Sequence, residues 1–305
     1  MNHKSFVFFD CECANTFDGI GKICSLGYVI TDDELNVIES EDVVMNPECE
    51  FDWYLFSKKA EIKLAYSKDY FRAKPNFESY YKDIKKLFTT GNRYIAGFAV
   101  QNDVSFVNDD CERYQKDYIL FRAFDLEKFL ERTFEKKQKL SQWALELGVN
   151  VEKFKTHKSV DDAMMTMLCL KSVCKKLGKS AEEILTENKG LFVSNEQILQ
   201  QSQERRYKKE ILEKIKRLFG KKNPMPRYKT VLNQKFEING KLLQDVDTSF
   251  ELVKKIYENG GTTYEHLFGE GYIIFEKEPS PEIKNKIEQK SKKILLLEEI
   301  MQTLK

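Results

Sequence analysis

The chain has 305 residues, 50 Lys and Arg against 49 Asp and Glu, a formal net charge of +1, and 41% apolar and 12% aromatic residues. That length suits roughly two domains of about 150 residues. The balanced charge excludes global steering toward polyanions, so any nucleic-acid affinity has to come from local patches. No apolar run approaches the roughly 20 residues that cross a bilayer, and the opening MNHKSFVFFD meets acids too early for a signal peptide. The expectation is a cytoplasmic protein with no membrane partner.

Residues 6–9 have the composition of a buried strand and run straight into Asp10 and Glu12. A second strand covers 23–30, Asp32 and Asp33 make a turn, and a third strand begins at Val37. Helical spacing marks 77–88, 94–100 reads as a short strand, and 104–114 as a helix. Residues 120–124 form another strand, with Asp125 capping a helix that starts at Leu126. A helix over 140–147 stops at Gly148, and Ser159 is the expected N-cap of a helix running to about Cys174. Three strands, then strands alternating with helices, predict an α/β domain with a mixed sheet over residues 1–178.

Residues 179–228 read as a charged helical linker. Between Lys175 and Lys229 there are 15 Lys and Arg against 7 Asp and Glu, and Pro224 and Pro226 close the segment. Residues 229–305 predict a small second α/β domain. KFEI is a strand, SFELVKKIYENGG a helix stopped at Gly260 and Gly261, and GYIIFEK a strand. SPEIKNKIEQKSKK is a helix with Pro281 in its first turn, followed by the apolar ILLLEEIMQTL. The seven cysteines form no CxxC pair and no zinc spacing, so they read as reduced thiols, most of them small core residues.

The acids carry the chemistry. Asp10 and Glu12 are two apart, so in a strand they point the same way. Two adjacent carboxylates repel each other, and burial makes this worse. Either the strand end has reached solvent, or a hard divalent cation sits between them, since Mg²⁺ takes oxygen ligands. Asp103, in IAGFAVQNDVSFV, follows an apolar strand and is either a helix N-cap or a third acid of the same site. In HKSVDDAMMTM, His157 and Asp162 are five apart, about 140° out of phase on one helix. A loop at His157 before a helix that holds Asp162 in its first turn lets the two converge. The alternative is a surface His and a first-turn acid favoured by the helix dipole, a role Asp161 fits.

The order DxE, then D, then HxxxxD resembles the DEDDh group of 3′–5′ exonucleases, related to proofreading subunits and ribonuclease T. FFDCE resembles the first motif and GKICSLGYVITD the strand after it. LSQWALELGVNVEKFKTHKSVDDAMMTMLCL resembles the third motif and its approach, so the likeness covers about residues 4–178. It implies an RNase H-like mixed central sheet flanked by helices. It also implies two Mg²⁺ ions, with Mn²⁺ able to substitute. Asp10 would bridge both ions, Glu12 and Asp162 would hold one, and Asp103 would support the other. His157 would act as general base, with 5′-monophosphate nucleotides released from the 3′ end.

Two departures bear on the substrate. Phe98 and Ala99 stand where many relatives carry His-Asn, and Cys13 and Ala14 where many carry Thr-Thr. Cys13, Ala14 and Phe98 are therefore expected substrate contacts whose preference does not carry over. Phe17 either stacks on the terminal base or folds onto the core. Trp53, Tyr54 and Phe56 in FDWYLF make a ridge near the 3′ end or pack inward, and packing is expected.

The last domain weakly resembles a BRCT module in its strand–helix–strand–strand–helix order, but lacks the Trp common in that module's last helix. The helix over 205–222 either neutralises phosphates or packs its Ile211, Ile215 and Leu218 stripe on a domain. The implied partners are nucleic acid with a free 3′ end, single-stranded DNA or RNA, and a protein bound through the C-terminal domain. Two other readings remain: an exonuclease fold used as an interaction scaffold, against which the five intact groups argue, and a phosphodiesterase for short oligonucleotides.

Overall fold

The structure, a computed structural model, describes residues 4–57, 63–155 and 157–304. The chain divides into two compact units, Met1–Gln201 and Ser202–Lys305.

In the first unit, strands β1 (Ser5–Cys13), β2 (Ile23–Thr31), β3 (Val37–Val44), β4 (Arg93–Gly97), β5 (Arg122–Asp125) and β6 (Phe192–Ser194) form one sheet in the order β3-β2-β1-β4-β5-β6. The pairs β1–β2, β2–β3 and β5–β6 are antiparallel, while β1–β4 and β4–β5 are parallel. Helices α1 (Lys68–Arg72), α2 (Phe77–Thr89), α3 (Gln101–Arg113), α4 (Leu126–Phe134), α5 (Leu140–Glu146), α6 (Ser159–Leu177) and α7 (Ala181–Glu187) accompany it. This is the RNase H-like mixed sheet flanked by helices.

Alternation along β1 explains its central place. Phe6 and Phe8 join a core with Ala163, Met167 and Leu170 of α6. Val7, Phe9 and Cys11 join another with Phe88, Val104 and Val107. Each large apolar side chain buried there contributes about 2 kcal/mol, which holds β1 rigid. Its pairing with β4 stops at Phe8 and Ala96, so Asp10 and Glu12 run on past the end of β4. On the other side they still pair with β2, Asp10 opposite Gly27 and Glu12 opposite Ser25.

Two expectations need correction. Ser159 is not an N-cap: Lys158 occupies that position without a side-chain cap, and Ser159 opens α6 with its hydroxyl on Asp42. The unit also continues beyond Gly178. Ala181, Ile184 and Leu185 are buried in the same core as Phe6, and β6 pairs with β5. The charge of this segment masked that short apolar stripe.

Helix α8 (Asn195–Leu218) crosses the boundary between the units. The second unit holds β7 (Lys235–Ile238), α9 (Val246–Glu258), β8 (Thr262–Tyr264), β9 (Gly271–Phe275), α10 (Pro281–Glu288), β10 (Lys292–Leu296) and α11 (Leu297–Thr303). Its four strands are all parallel, in the order β10-β9-β7-β8. Ile211 and Ile215 of α8 share its core with Phe236, Leu252 and Ile274. Among the described residues no helix is long and apolar enough to cross a membrane.

Candidate active site

The open end of β1 is where the acids gather. Helix α6 starts hard against β2: a Cβ on Gly27 would lie 1.9 Å from the Val160 nitrogen. Only a residue without a side chain permits that approach, and it sets the first turn of α6 beside Asp10. His157 precedes the helix with a left-handed φ of 60°, a conformation costly for a non-glycine residue. Its backbone N–H donates to Asp162 Oδ2 at 3.0 Å, and its Nδ1 lies 3.5 Å from Glu12 Oε1. One ligand atom from each of Glu12, His157 and Asp162 falls within 4.8 Å of the others. The five-residue step between His157 and Asp162 thus closes through a loop and a first turn.

Asp103 is the third residue of α3, whose N-cap is Val100. It is 6% exposed and accepts the Cys11 backbone N–H. Burial first, then the charge of Asp103 and Glu12, pushes the Asp10 carboxyl well above the usual range. Burial and Glu12 do the same to Asp103. Burial and Glu12 push Asp162 up to about 7 against the opposing pull of His157. The hydrogen bond with Glu12 raises His157. Among the described residues no Lys or Arg pairs with these four acids. Four crowded carboxyl groups, of which Asp10, Asp103 and Asp162 resist ionisation, are all hard oxygen donors and fit divalent cations.

Asp10, Glu12, His157 and Asp162 line a cleft of about 560 Å³ together with Phe98. Of the remaining expected substrate contacts, Phe17 is 64% exposed and Cys13 is half-buried. Ala14 is fully buried, its N–H donating to the Lys22 carbonyl and its carbonyl accepting from Asp52. A nucleotide therefore does not meet its side chain directly. Trp53, at 80% exposure, and Tyr54 face solvent rather than the core. A single 3-10 turn over Trp53–Phe56 carries only Leu55 fully inward, and Phe56 packs edge-on against Phe51 at 5.3 Å.

The same cleft is walled by Glu127, Lys137, Lys139 and Gln142, which the sequence reading did not single out. For Glu127 a signal exists: Phe-Asp-x-Glu occurs at 9–12 and again at 124–127. The second copy ends β5, where Asp125 caps α4 and Glu127 is raised by burial and by Asp125.

Residues 7–170 match the family model for RNase T, described as exonuclease. The chain belongs to the RNase T exonuclease family. Among solved structures, the zinc-bound form of the E. coli exonuclease I–ssDNA complex is 18% identical with a TM-score of 0.50, covering 60% of this chain and 43% of that one. E. coli exonuclease I in complex with a dA16 oligonucleotide is 18% identical with a TM-score of 0.48, covering 56% and 41%. A 3′-exonuclease that recognises the histone mRNA stem-loop is 13% identical with a TM-score of 0.48, covering 59% and 84%. At such identities the zinc-bound form shares the fold. The chain spans only 41% of the length of the exonuclease I chain with dA16. No curated protein matches the sequence.

Proposed function

We propose that the first unit is a metal-dependent 3′–5′ exonuclease domain, which hydrolyses phosphodiester bonds of DNA or RNA from the 3′ end and releases 5′-monophosphate nucleotides. The observation that carries this is the convergence of Glu12, His157 and Asp162 within 4.8 Å, beside the buried Asp10 and Asp103, in a chain of an exonuclease family.

Asp10, Glu12, Asp103 and Asp162 would hold two Mg²⁺ ions, or Mn²⁺ in their place. When bound, such ions offset the charge of the phosphodiester and lower the pKa of a water. His157 serves as the base. Its Nδ1 faces Glu12, which orients the ring and leaves Nε2 to take a proton from the attacking water. Phe98 walls the same cleft and is a candidate face for the terminal base, together with Phe17 and the half-buried Cys13. Trp53 and Tyr54 extend that surface, because Asp52 donates to Ala14 at 2.9 Å, two residues beyond Glu12. Exposed aromatic rings stack on bases without regard to sequence.

The second unit is assigned an accessory role. Its strand–helix–strand–strand–helix–strand–helix order supports a BRCT-like module, one that lacks a tryptophan and is open to a protein partner.

The test is one panel: 3′- and 5′-labelled single- and double-stranded DNA and RNA, with Mg²⁺, Mn²⁺ or EDTA, for the native chain and Asp10→Ala. Metal-dependent release of mononucleotides from the 3′ end by the native chain alone is expected. Release that persists in EDTA, or in carefully purified Asp10→Ala, overturns the reading.

A further inference from the structure

Helix α8 lays Ile211 and Ile215 into the core of the second unit, at 7% and 0% exposure. Leu212 and Leu218 are partly buried against it. That packing decides which face of the helix points outward. Arg205, Lys208, Lys209 and Lys216 are exposed and line one shallow groove of about 370 Å³ along the helix, with Leu212 and Glu213. From 205 to 216 the helix rises about 16 Å, the axial length of roughly five phosphates at ~3.4 Å per charge on one strand. Among the described residues none of these four cations has an ion-pair partner, whereas nearby Lys214 pairs with Glu210 at 2.7 Å.

We propose that this stripe is a second nucleic-acid contact, a track that grips the sugar-phosphate backbone of a polynucleotide strand without reading its sequence. The inference goes beyond the catalytic assignment but rests on that reading in taking a polynucleotide as the ligand. The chemistry selects backbone phosphate over an acidic protein. The groove presents four cations against one carboxylate, Glu213, and a single apolar side chain, Leu212. Counterion release from phosphates needs only the charges, whereas a protein interface draws its energy from buried aromatic and apolar anchors. The near-neutral chain as a whole makes this local excess the more telling.

The test compares the full native chain with the quadruple variant Arg205→Gln, Lys208→Gln, Lys209→Gln, Lys216→Gln. Binding of an oligothymidylate of about 20 nucleotides, longer than one single-strand site, is measured in EDTA across a salt series. Each phosphate contact contributes ~0.7 to the slope of log affinity against log salt on a single strand. The variant should therefore lose about 3 from that slope and bind roughly 10-fold or more weakly at moderate salt, with its melting temperature unchanged. A variant that keeps the native slope and affinity overturns the proposal. So does polyglutamate displacing the oligonucleotide from the native chain as well as unlabelled oligothymidylate does, because the surface then serves acidic polymers in general. Hydrolysis of a trinucleotide, which has too few phosphates to neutralise four cations as well as fill the catalytic cleft, is followed in parallel. If the variant hydrolyses it normally, the catalytic reading stands whatever the binding shows. If the native chain never hydrolyses it, only that reading falls, and the salt slopes still judge the stripe.

Discussion

The Ser159 hydroxyl donates to Asp42 Oδ1 at 2.8 Å, joining the first residue of α6 to strand β3. Ser25 donates to the same oxygen at 2.6 Å, and Tyr66 to Oδ2 at 2.7 Å. The Ser159 and Ser25 oxygens also lie in contact, but each hydroxyl has one proton and directs it to Asp42. One carboxylate thus gathers three hydroxyls from separate parts of the chain and anchors the helix that delivers Asp162. Asp42→Ala leaves the buried Ser159 and Ser25 only each other as partners, so one hydroxyl proton goes unpaired, at about 1–3 kcal/mol for a buried group. It should lower the melting temperature and raise the metal concentration needed for half-maximal activity, with Asp42→Asn milder on both. A native metal requirement in Asp42→Ala would mean that α6 is held elsewhere.

Gly27 is the second control on that helix. The Cβ of alanine would fall 1.9 Å from the Val160 nitrogen and 2.0 Å from the Ser159 carbonyl carbon, so backbone must shift. Asp10 faces Gly27 across the strand pair, so the shift separates Asp162 from Asp10. Gly27→Ala should lose on the order of 10²-fold in rate, the scale seen when reacting groups move by about 1 Å, while circular dichroism still reports a folded chain. Native activity in this variant contradicts the close packing.

His157→Ala isolates the base from the ligands. Loss of a positioned general base removes about 10²-fold or more of the rate. Since the four acids remain, Mn²⁺ binding measured by calorimetry should stay within a few-fold of native. Asp10→Ala should instead lose both rate and metal binding. Undiminished turnover in His157→Ala removes the imidazole from the mechanism.

Chelation and pH should act together on stability. Burial raises Asp162 from 3.8 to about 7 in the folded protein, and Asp10 and Asp103 move in the same direction. Between the unfolded and folded values the native state binds more protons, so its stability falls as pH rises from about 4 to about 7. In EDTA the melting temperature should drop by roughly 5 °C or more across that window. Mn²⁺ should raise it more at pH 8 than at pH 5, because the cation replaces the protons. A flat profile in EDTA would sink the account of mutually repelling carboxyl groups.

Much of this site was legible in the amino-acid order. Strand alternation sets Asp10 and Glu12 on one side of β1, and the run of apolar residues before them makes β1 central. The three spaced motifs name Asp103, His157 and Asp162, because side-chain chemistry and short-range periodicity are local properties. The doubled Phe-Asp-x-Glu also carried a local trace of Glu127.

What required the tertiary structure is every outcome in which distant groups compete. Ser159 has the chemistry of a cap, yet its hydroxyl goes to Asp42, 117 positions away in sequence. Trp53 has the composition of a core residue, yet the core beneath it is filled by Leu55 and Phe51, and Trp53 remains in solvent. The basic and apolar faces of α8 were both present in its sequence, but only the packing of Ile211 and Ile215 decides which of them water meets. Burial is a contest among residues from the whole chain, and no local window contains all the contestants.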